Sequence, residues 1–159
     1  MINLRPINQD NVMEIVKLKA DEKFVGSNAI SLAEAYAYHQ SKGEMPIVFG
    51  IYNDDAPVGF VMIDYYDEAS ELAKNDNEGE PFYYNWRLMI DEKYQNRGFG
   101  RPAMNLIIQE LKKSPKGRAN AFFTGVMLDN EVAHNFYKSF GFVETGEVEG
   151  NELFLRMPL

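Results

Sequence analysis

The chain has 159 residues, of which 45% are hydrophobic and 13% aromatic, so it holds enough apolar material for one folded domain of ordinary size. It contains no cysteine, which excludes a disulfide scaffold, a thiolate zinc site and a cysteine nucleophile. Its formal charge of −8 argues against a nucleic-acid partner, which needs a basic face, and suits a cationic substrate. The two histidines, His39 and His134, lie far apart without a metal-ligand spacing, so we expect no metal site. The N-terminus lacks the layout of a secretion signal, and no apolar run is long enough to span a membrane, so we expect a cytoplasmic protein.

The first third of the chain predicts one strand, Ile2 to Arg5, and two helices. Each helix start is indicated by a polar cap residue followed three positions later by an acid, a pattern found at Asn11 with Glu14 and at Ser31 with Glu34. We expect the second helix to run to about Gln40 and to stop near Gly43 and Pro46. Residues 21–30, between the two helices, read as a loop or short helical turn.

The middle of the chain predicts three strands. Ile47 to Tyr52 and Val58 to Tyr66 are β-rich runs joined by turn residues 53–57, which indicates an antiparallel hairpin. Residues 67–80 carry six acids and few apolar groups, so we expect an exposed loop there. A third long strand is expected from Phe82 to Asp91.

The last third predicts a helix, a strand, a short helix and a closing hairpin. The first helix is indicated by an apolar stripe at i, i+3, i+4 and i+7, formed by Met104, Ile107, Ile108 and Leu111. The remaining elements are expected at 121–127, 130–139, 142–148 and 153–157. This order of elements predicts a mixed α/β fold with helices on the faces of the sheet.

A loop in the middle of the chain has the chemistry of an anion cradle. A buried strand is expected to run through this loop into the N-terminus of an amphipathic helix, where unsatisfied N–H groups and the helix dipole favour negative charge. Gly98 and Gly100 allow a diphosphate to approach the backbone, and Arg97 and Arg101 add positive charge. Pro102 fits the first helical turn. A third glycine for a dinucleotide fingerprint and the Gly-Lys-Ser/Thr of a P-loop are both missing, so the pattern favours a different diphosphate.

Two segments carry a family resemblance. Residues 95–100, Gln-Asn-Arg-Gly-Phe-Gly, match the Q/R-x-x-G-x-G/A signature of the GNAT family of N-acetyltransferases, which binds the pyrophosphate of coenzyme A. Residues 130–142 resemble the second conserved block of that family, N-x-x-A-x-x-x-Y-x-x-x-G-F. Within the family, residues 84–91 and 141–147 look most like bacterial diamine and polyamine (spermine/spermidine) acetyltransferases.

The resemblance implies the fold and the activity. The fold would be the GNAT acyl-CoA N-acyltransferase fold, with a central mixed, mostly antiparallel sheet and helices on both faces, in a single domain over residues 1–159. The enzyme would transfer an acetyl group from acetyl-CoA to a primary amine of a polyamine or diamine such as spermidine or spermine. Transfer would be direct, because no cysteine is present to carry the acetyl group. A homodimer is compatible with the resemblance.

The resemblance also assigns cofactor-binding residues. The main chain of the strand before the loop would pair with the pantetheine arm, at Leu88, Met89 and Ile90. The pyrophosphate would be held by the amides of Gln95, Asn96, Arg97, Gly98, Phe99, Gly100 and Arg101. Asn130 would contact the cofactor arm, although a helix N-cap accounts for it equally well.

Tyr137 is the predicted catalytic residue. The attacking amine expels a thiolate that needs a proton, and a phenol with a pKa near 10 is reasonably matched to a thiol near 8.5. The resemblance also places Tyr137 against the cofactor. The structural alternative is an aromatic side chain that packs under the sheet.

The acceptor site and the general base are less defined. Four residues are predicted to bind the amine, Glu22, Tyr36, Tyr84 and Trp86, because carboxylates and aromatic faces attract cations. Trp86 occupies the position at which some polyamine acetyltransferases have a glutamate, so the base stays open among the carboxylates Glu22, Asp64, Asp91 and Glu144. Two alternatives are a GNAT enzyme acting on an antibiotic, an amino acid or a protein N-terminus, and a coenzyme A-binding module without turnover.

Overall fold

The computed structural model describes residues 1–21 and 23–159, and the predicted fold class is confirmed. The strands in this part of the chain are β1 (Ile2–Pro6), β2 (Ile47–Asn53), β3 (Ala56–Tyr66), β4 (Phe82–Ile90), β5 (Ala121–Met127), β6 (Val143–Glu149) and β7 (Glu152–Pro158). They form one mixed sheet in the order β1-β2-β3-β4-β5-β7-β6. The helices are α1 (Val12–Ile15), α2 (Asn28–Lys42), α3 (Glu71–Asp76), α4 (Gly100–Lys112) and α5 (Glu131–Lys138), with a 3-10 helix at Glu92–Tyr94. None of the helices in the described ranges is both long and apolar enough to cross a bilayer.

The first compact unit comprises Met1–Asp64 and Arg87–Lys113. Strands β1, β2 and β3 pair antiparallel in it, as the predicted hairpin requires, and a two-residue turn with a left-handed Asp54 (φ 53°) joins β2 to β3. Helix α4 buries three residues of its predicted stripe, Met104, Ile107 and Leu111. One core cluster of this unit joins Ala103 to the strand residues Ile51 and Val58. The buried face of α4 therefore packs, at the start of the helix, against strands β2 and β3.

The second compact unit comprises Tyr65–Trp86 and Ser114–Leu159. Its strand β7 pairs antiparallel with both β5 and β6, while β4 pairs parallel with β5. The parallel register places Phe82 opposite Ala121 and Asn85 opposite Thr124. Aromatic rings dominate the core, and the rings of Tyr66 and Phe82 stack with centroids 5.0 Å apart.

Both predicted helix caps differ from the observed ones. Helix α2 begins four residues earlier than expected, and the Ser27 hydroxyl, not that of Ser31, accepts the capping bond from the Ile30 amide. The Ser31 hydroxyl donates instead to the Ser27 carbonyl oxygen within the first turn. At the first helix, the Asn11 side chain makes no cap, because it accepts from the Asn8 amide and donates to a carbonyl. Helix α1 is accordingly a single turn.

The expected exposed loop at 67–80 is partly wrong, because it contains helix α3. The Ser70 hydroxyl caps this helix by accepting from the Leu72 amide. Ala73 is buried in the aromatic core of the second unit, and Asn77 donates to the Glu80 carbonyl oxygen. A single small residue that packs against a preformed core leaves no periodic signal in an acidic segment.

Candidate active site

The anion-cradle loop is anchored at its start by Asp91. This side chain is 3% exposed, and its two oxygens accept from the Lys93 and Lys19 amides, each at 2.9 Å. The Asp91 amide donates to the Val58 carbonyl oxygen of β3 at 2.8 Å. Both carboxylate oxygens are thus engaged by backbone N–H groups. These bonds give Asp91 a structural role that accounts for its burial.

The loop leaves its backbone exposed beyond Gln95. The prediction that the Gln95 amide holds the pyrophosphate is wrong, because that amide donates to the Asp91 carbonyl oxygen at 3.1 Å. Asn96 and Gly98 have left-handed φ angles of 61° and 80°, and a Cβ at Gly98 would meet no heavy atom within 4 Å. Residues 95–98 are exposed. Gln95 steadies the loop by donating to the Ile90 carbonyl oxygen at 3.0 Å, and the Arg97 guanidinium lies 5.4 Å from the centre of the Tyr94 ring.

The loop leads into the N-terminus of the 13-residue helix α4, which begins at Gly100. The first N–H groups of a helix have no intrahelical acceptor, and the helix dipole favours an anion there. The exposed Arg101 lies in the first turn, and Phe99 packs 6.3 Å from Tyr94. An open backbone, a helix N-terminus and two arginines fit a diphosphate.

The strand before the loop offers its main chain rather than its side chains. Leu88 and Ile90 pack against the core that contains Val58, and Met89 is buried. On β3, Gly59 lies so close to β4 that an added Cβ would be 2.4 Å from the Met89 carbonyl oxygen. The side chains of Leu88, Met89 and Ile90 are therefore core, so any contact with a ligand runs through the backbone.

In the second unit, Tyr137 lies on α5, and its ring contacts Phe136 and Phe142 edge-on. Asn130 caps this helix by accepting from the Ala133 amide at 3.1 Å, so the predicted N-cap role of Asn130 is confirmed. The side-chain oxygen of Asn130 is therefore engaged by the helix. Tyr137 is only 6% exposed.

The Tyr137 hydroxyl belongs to a small polar network with two strand residues. Asn85 of β4 donates from Nδ2 to the Tyr137 hydroxyl oxygen at 3.0 Å and to Thr124 Oγ1 at 3.2 Å. Burial raises the pKa of Tyr137 to about 12, and hydrogen bonds from Thr124 and Asn85 partly oppose this rise. The phenol is thus held protonated at neutral pH.

Sequence reasoning missed Asn85 and Thr124. Each is the fourth residue of its strand, after three buried or half-buried residues that are mostly aromatic. A polar residue at the same place in two apolar strands is a usable signal. It becomes informative only once the register of β4 on β5 is known.

The predicted acceptor residues are dispersed. Tyr36 is 61% exposed on α2 in the first unit. Tyr84 is half-buried in the second unit, and its pKa is raised by burial and by nearby Glu152, Tyr66 and Tyr137. Trp86 is half-buried on β4, and Glu22 lies outside the described residues.

The other candidates for the general base, Glu144 and Asp64, have different surroundings. Glu144 is ion-paired with Lys138 at 2.5 Å, and the hydrogen bond from that lysine lowers the pKa of the glutamate. Asp64 on β3 is buried, and its Oδ2 has no hydrogen-bond partner among the described residues. Within the same described ranges, no group of three or more histidine and carboxylate side chains could hold a metal ion.

Comparison with known proteins shows the family to which the chain belongs. The sequence profile of the acetyltransferase (GNAT) family matches residues 11–142, and the chain belongs to this family. It is an N-acetyltransferase with the fold that the two motifs indicated. The spermine/spermidine N(1)-acetyltransferase of Bacillus subtilis (strain 168) is 28% identical over 155 residues, covering 94% of this chain and 93% of the relative.

Two solved structures show the same fold. The PaiA N-acetyltransferase of Thermoplasma acidophilum, in complex with coenzyme A, matches with a TM-score of 0.69 at 13% identity over 100% of this chain and 99% of that one. Naa50 of Arabidopsis thaliana, in complex with the bisubstrate analogue CoA-Ac-MVNAL, matches with a TM-score of 0.67 at 20% identity over 99% of both chains.

Proposed function

We propose that this enzyme transfers an acetyl group from acetyl-CoA directly to a primary amine of a polyamine or diamine, with Tyr137 as the acid. The observation that carries this proposal is the buried Tyr137 hydroxyl, whose oxygen accepts a hydrogen bond from Asn85. A phenol held in this way has a hydrogen to donate and is shielded from water. Charge on a leaving thiolate is stabilised most effectively by such a preorganised donor.

The pKa values indicate how Tyr137 acts. With a phenol pKa of about 12 and a thiol pKa of about 8.5, the proton prefers the phenol by about 3.5 units. Complete transfer of the proton to a free thiolate is then uphill. Tyr137 therefore acts as the acid by sharing its phenolic hydrogen with the developing thiolate, and the thiolate takes a proton from solvent as it leaves the site.

The cofactor-binding residues follow from the loop. The amides of the exposed residues 96–98 and the N-terminus of α4 would hold the pyrophosphate, with Arg97 and Arg101 as its positive charges. The main chain of residues 88–90 would pair with the pantetheine arm. The Nδ2 group of Asn130 would donate to that arm.

The acidic side chains of the second unit support a polycationic acceptor. The pKa of Asp76 is raised by burial and by the neighbouring charges of Glu147 and Glu149. Close like charges are destabilising, and a multiply charged ammonium ligand would relieve them. The aromatic faces of Tyr84 and Trp86 would add cation–π attraction. The B. subtilis relative, which is named for spermine and spermidine, supports the same acceptor class.

The attacking amine must lose a proton, and Asp64 is the first carboxylate to test as its acceptor. Among the candidates that the structure describes, it is the one with a buried oxygen that has no partner. A buried carboxylate oxygen without a donor attracts an ammonium group. Glu22 stays a candidate from the sequence alone, and Tyr36, which is exposed on α2, stays a proposed contact of the amine.

The test is a thiol-release assay with acetyl-CoA and six amines: spermidine, spermine, putrescine, a lysine peptide, a peptide with a free N-terminus and an aminoglycoside. Turnover should be selective for the polyamines, and Tyr137→Phe should lower kcat about 100-fold. Tyr83→Phe is the matched control, because the Tyr83 hydroxyl donates to the Gly117 carbonyl oxygen in a purely structural contact. That variant should lose stability and keep kcat.

Each other outcome has a definite meaning. Selective turnover on a peptide amine would replace the polyamine assignment. Acetyl-CoA binding without transfer to any of the six amines would favour the module without turnover. Full kcat in Tyr137→Phe would refute the role of the tyrosine.

A further inference from the structure

We infer that Asn85 is a positioning residue, whose Nδ2 group donates to the Tyr137 hydroxyl oxygen and thereby leaves the phenolic hydrogen free for the leaving group. This inference rests on the role proposed for Tyr137. It assigns a function to a strand residue that lies outside both family motifs. All the groups involved belong to the second compact unit.

The position of Asn85 is set by the sheet. It lies on β4 directly opposite Thr124 of β5, and this parallel register brings the two side chains within hydrogen-bond distance, at 3.2 Å. Helix α5 supplies Tyr137, whose oxygen is 3.0 Å from the same Nδ2 atom. Three separate elements thus fix one amide group, which is 4% exposed in total.

The hydrogens of the network determine which end of the amide faces Tyr137. The Thr124 hydroxyl donates its single hydrogen to the Asn85 main-chain oxygen at 3.4 Å. The Thr124 oxygen is then left to accept, and it accepts from the Nδ2 group of Asn85. The other hydrogen of Nδ2 then points to the phenol oxygen.

This orientation has a consequence for catalysis. Because the Tyr137 oxygen accepts from Asn85, the phenolic hydrogen is not bound by Asn85 and can turn to the leaving group. With the amide rotated by half a turn, the Asn85 oxygen would accept that hydrogen and remove it from the reaction. The donated bond also favours the charged form of the phenol, and so makes Tyr137 a better donor than burial alone would.

The observed orientation leaves one polar atom unsatisfied. Asn85 Oδ1 is buried and has no hydrogen-bond partner among the described residues. A buried carbonyl group without a donor is destabilising, and such groups are uncommon outside functional sites. A residue retained only for packing would not need this unpaired oxygen. The arrangement is explained if the amide serves Tyr137.

The test is a double-mutant cycle measured in the thiol-release assay with the best amine of the panel. Asn85→Leu should lower kcat about tenfold, or about 1.4 kcal/mol in activation free energy, and leave KM for acetyl-CoA within about twofold. In the Tyr137→Phe background the same change should lower kcat by less than about twofold, because its target is gone. Asn85→Asp, which has only acceptor oxygens when ionised, should lower kcat at least as much as Asn85→Leu.

The control is Asn77→Leu. Asn77 is also a buried asparagine of the second unit, and it donates to Asn120 and to the Glu80 carbonyl oxygen. This variant should lose stability and keep kcat. If Asn85→Leu does not fold, Asn85→Asp and Thr124→Val preserve the side-chain volume and can replace it in the cycle. At position 124, the serine variant keeps the hydroxyl group, so its kcat should be close to that of wild type and above that of Thr124→Val.

An equal loss of kcat in both backgrounds would overturn the inference, and so would an unchanged kcat or a more active Asn85→Asp. The inference and the proposed function fail separately. If Tyr137→Phe keeps full kcat, the acid itself is wrong. If Tyr137→Phe is impaired and the Asn85 variants are not, only the positioning role is lost.

Discussion

Replacing Gly59 with alanine should disturb both the sheet and the binding of acetyl-CoA. A Cβ at this position would lie 2.4 Å from the Met89 carbonyl oxygen, 3.0 Å from Ile90 Cδ1 and 3.2 Å from Ile51 Cδ1. The first contact is with backbone, which cannot rotate away as a side chain can. Close carbon–oxygen contacts in sheets are about 3.3 Å or longer, so β4 must move by about 0.9 Å at Met89.

The magnitude follows from the packing. Overpacking of a core typically costs about 1–3 kcal/mol, and the lower entropy of the unfolded alanine chain offsets about 0.4–1 kcal/mol of this. We therefore expect Gly59→Ala to lower the free energy of unfolding by about 1–2 kcal/mol, which lowers Tm by about 2–8 °C in a chain of this length. Because the main chain at Met89 is proposed to pair with the pantetheine arm, KM for acetyl-CoA should rise as well.

The assay is urea unfolding followed by steady-state kinetics, with Gly26→Ala as the matched control. The nearest atom to a Cβ at Gly26 is the Arg87 Nε atom, at an ordinary contact distance of 3.7 Å, and Gly26 is not in the left-handed region. This control should be neutral or slightly stabilising. If Gly59→Ala matches wild type in stability and KM, then the close approach of β3 to β4 at this point is not what restricts the position to glycine.

The remaining predictions concern the stability of the protein and the roles of Tyr137, Asp91 and Asn130. Tyr137 has a folded-state pKa of about 12 against about 10 when unfolded. Its contribution to the free energy of unfolding is therefore complete below pH 10 and is lost as the pH rises through 12. Urea unfolding from pH 9 to 12 should therefore show wild type losing about 2 kcal/mol more of its free energy of unfolding than Tyr137→Phe, and parallel curves would contradict this. Asp91→Asn should weaken the bonds from the Lys19 and Lys93 amides and lower stability by about 1–3 kcal/mol while sparing kcat, whereas a large kcat loss would support Asp91 as a base candidate. Asn130→Ala should cost about 1 kcal/mol through the lost cap, and Asn130→Ser should recover most of it by the same unfolding assay.

Local patterns predicted the elements whose signals are local. The hairpin of β2 and β3 follows from two β-rich runs around turn residues, and the buried stripe of α4 follows from its apolar period. Helix starts were less predictable, because Ser27 and Ser31 both carry a suitable hydroxyl and the choice depends on which turn packs. Helix α3 was missed because only the burial of Ala73 supports it.

The candidate site divides in the same way. The glycine-containing loop, the helix N-terminus that follows it and Tyr137 could be identified from the sequence, because each belongs to a motif with fixed spacing. Their use in catalysis stays a prediction. The structural role of Asp91 could be recognised only from the structure, since two amides distant from each other in the chain take up its oxygens.

The amino-acid sequence by itself thus determined the class of enzyme, and it identified the glycine-containing loop and Tyr137 as candidates, because short-range spacing and backbone preferences encode these motifs. Only the tertiary structure decided which partners that phenol has. Asn85 and Thr124 meet because β4 and β5 pair parallel in one register, although they lie 39 residues apart in the chain. The raised pKa of Tyr137 likewise arises from burial by elements distant in sequence, which no local pattern contains.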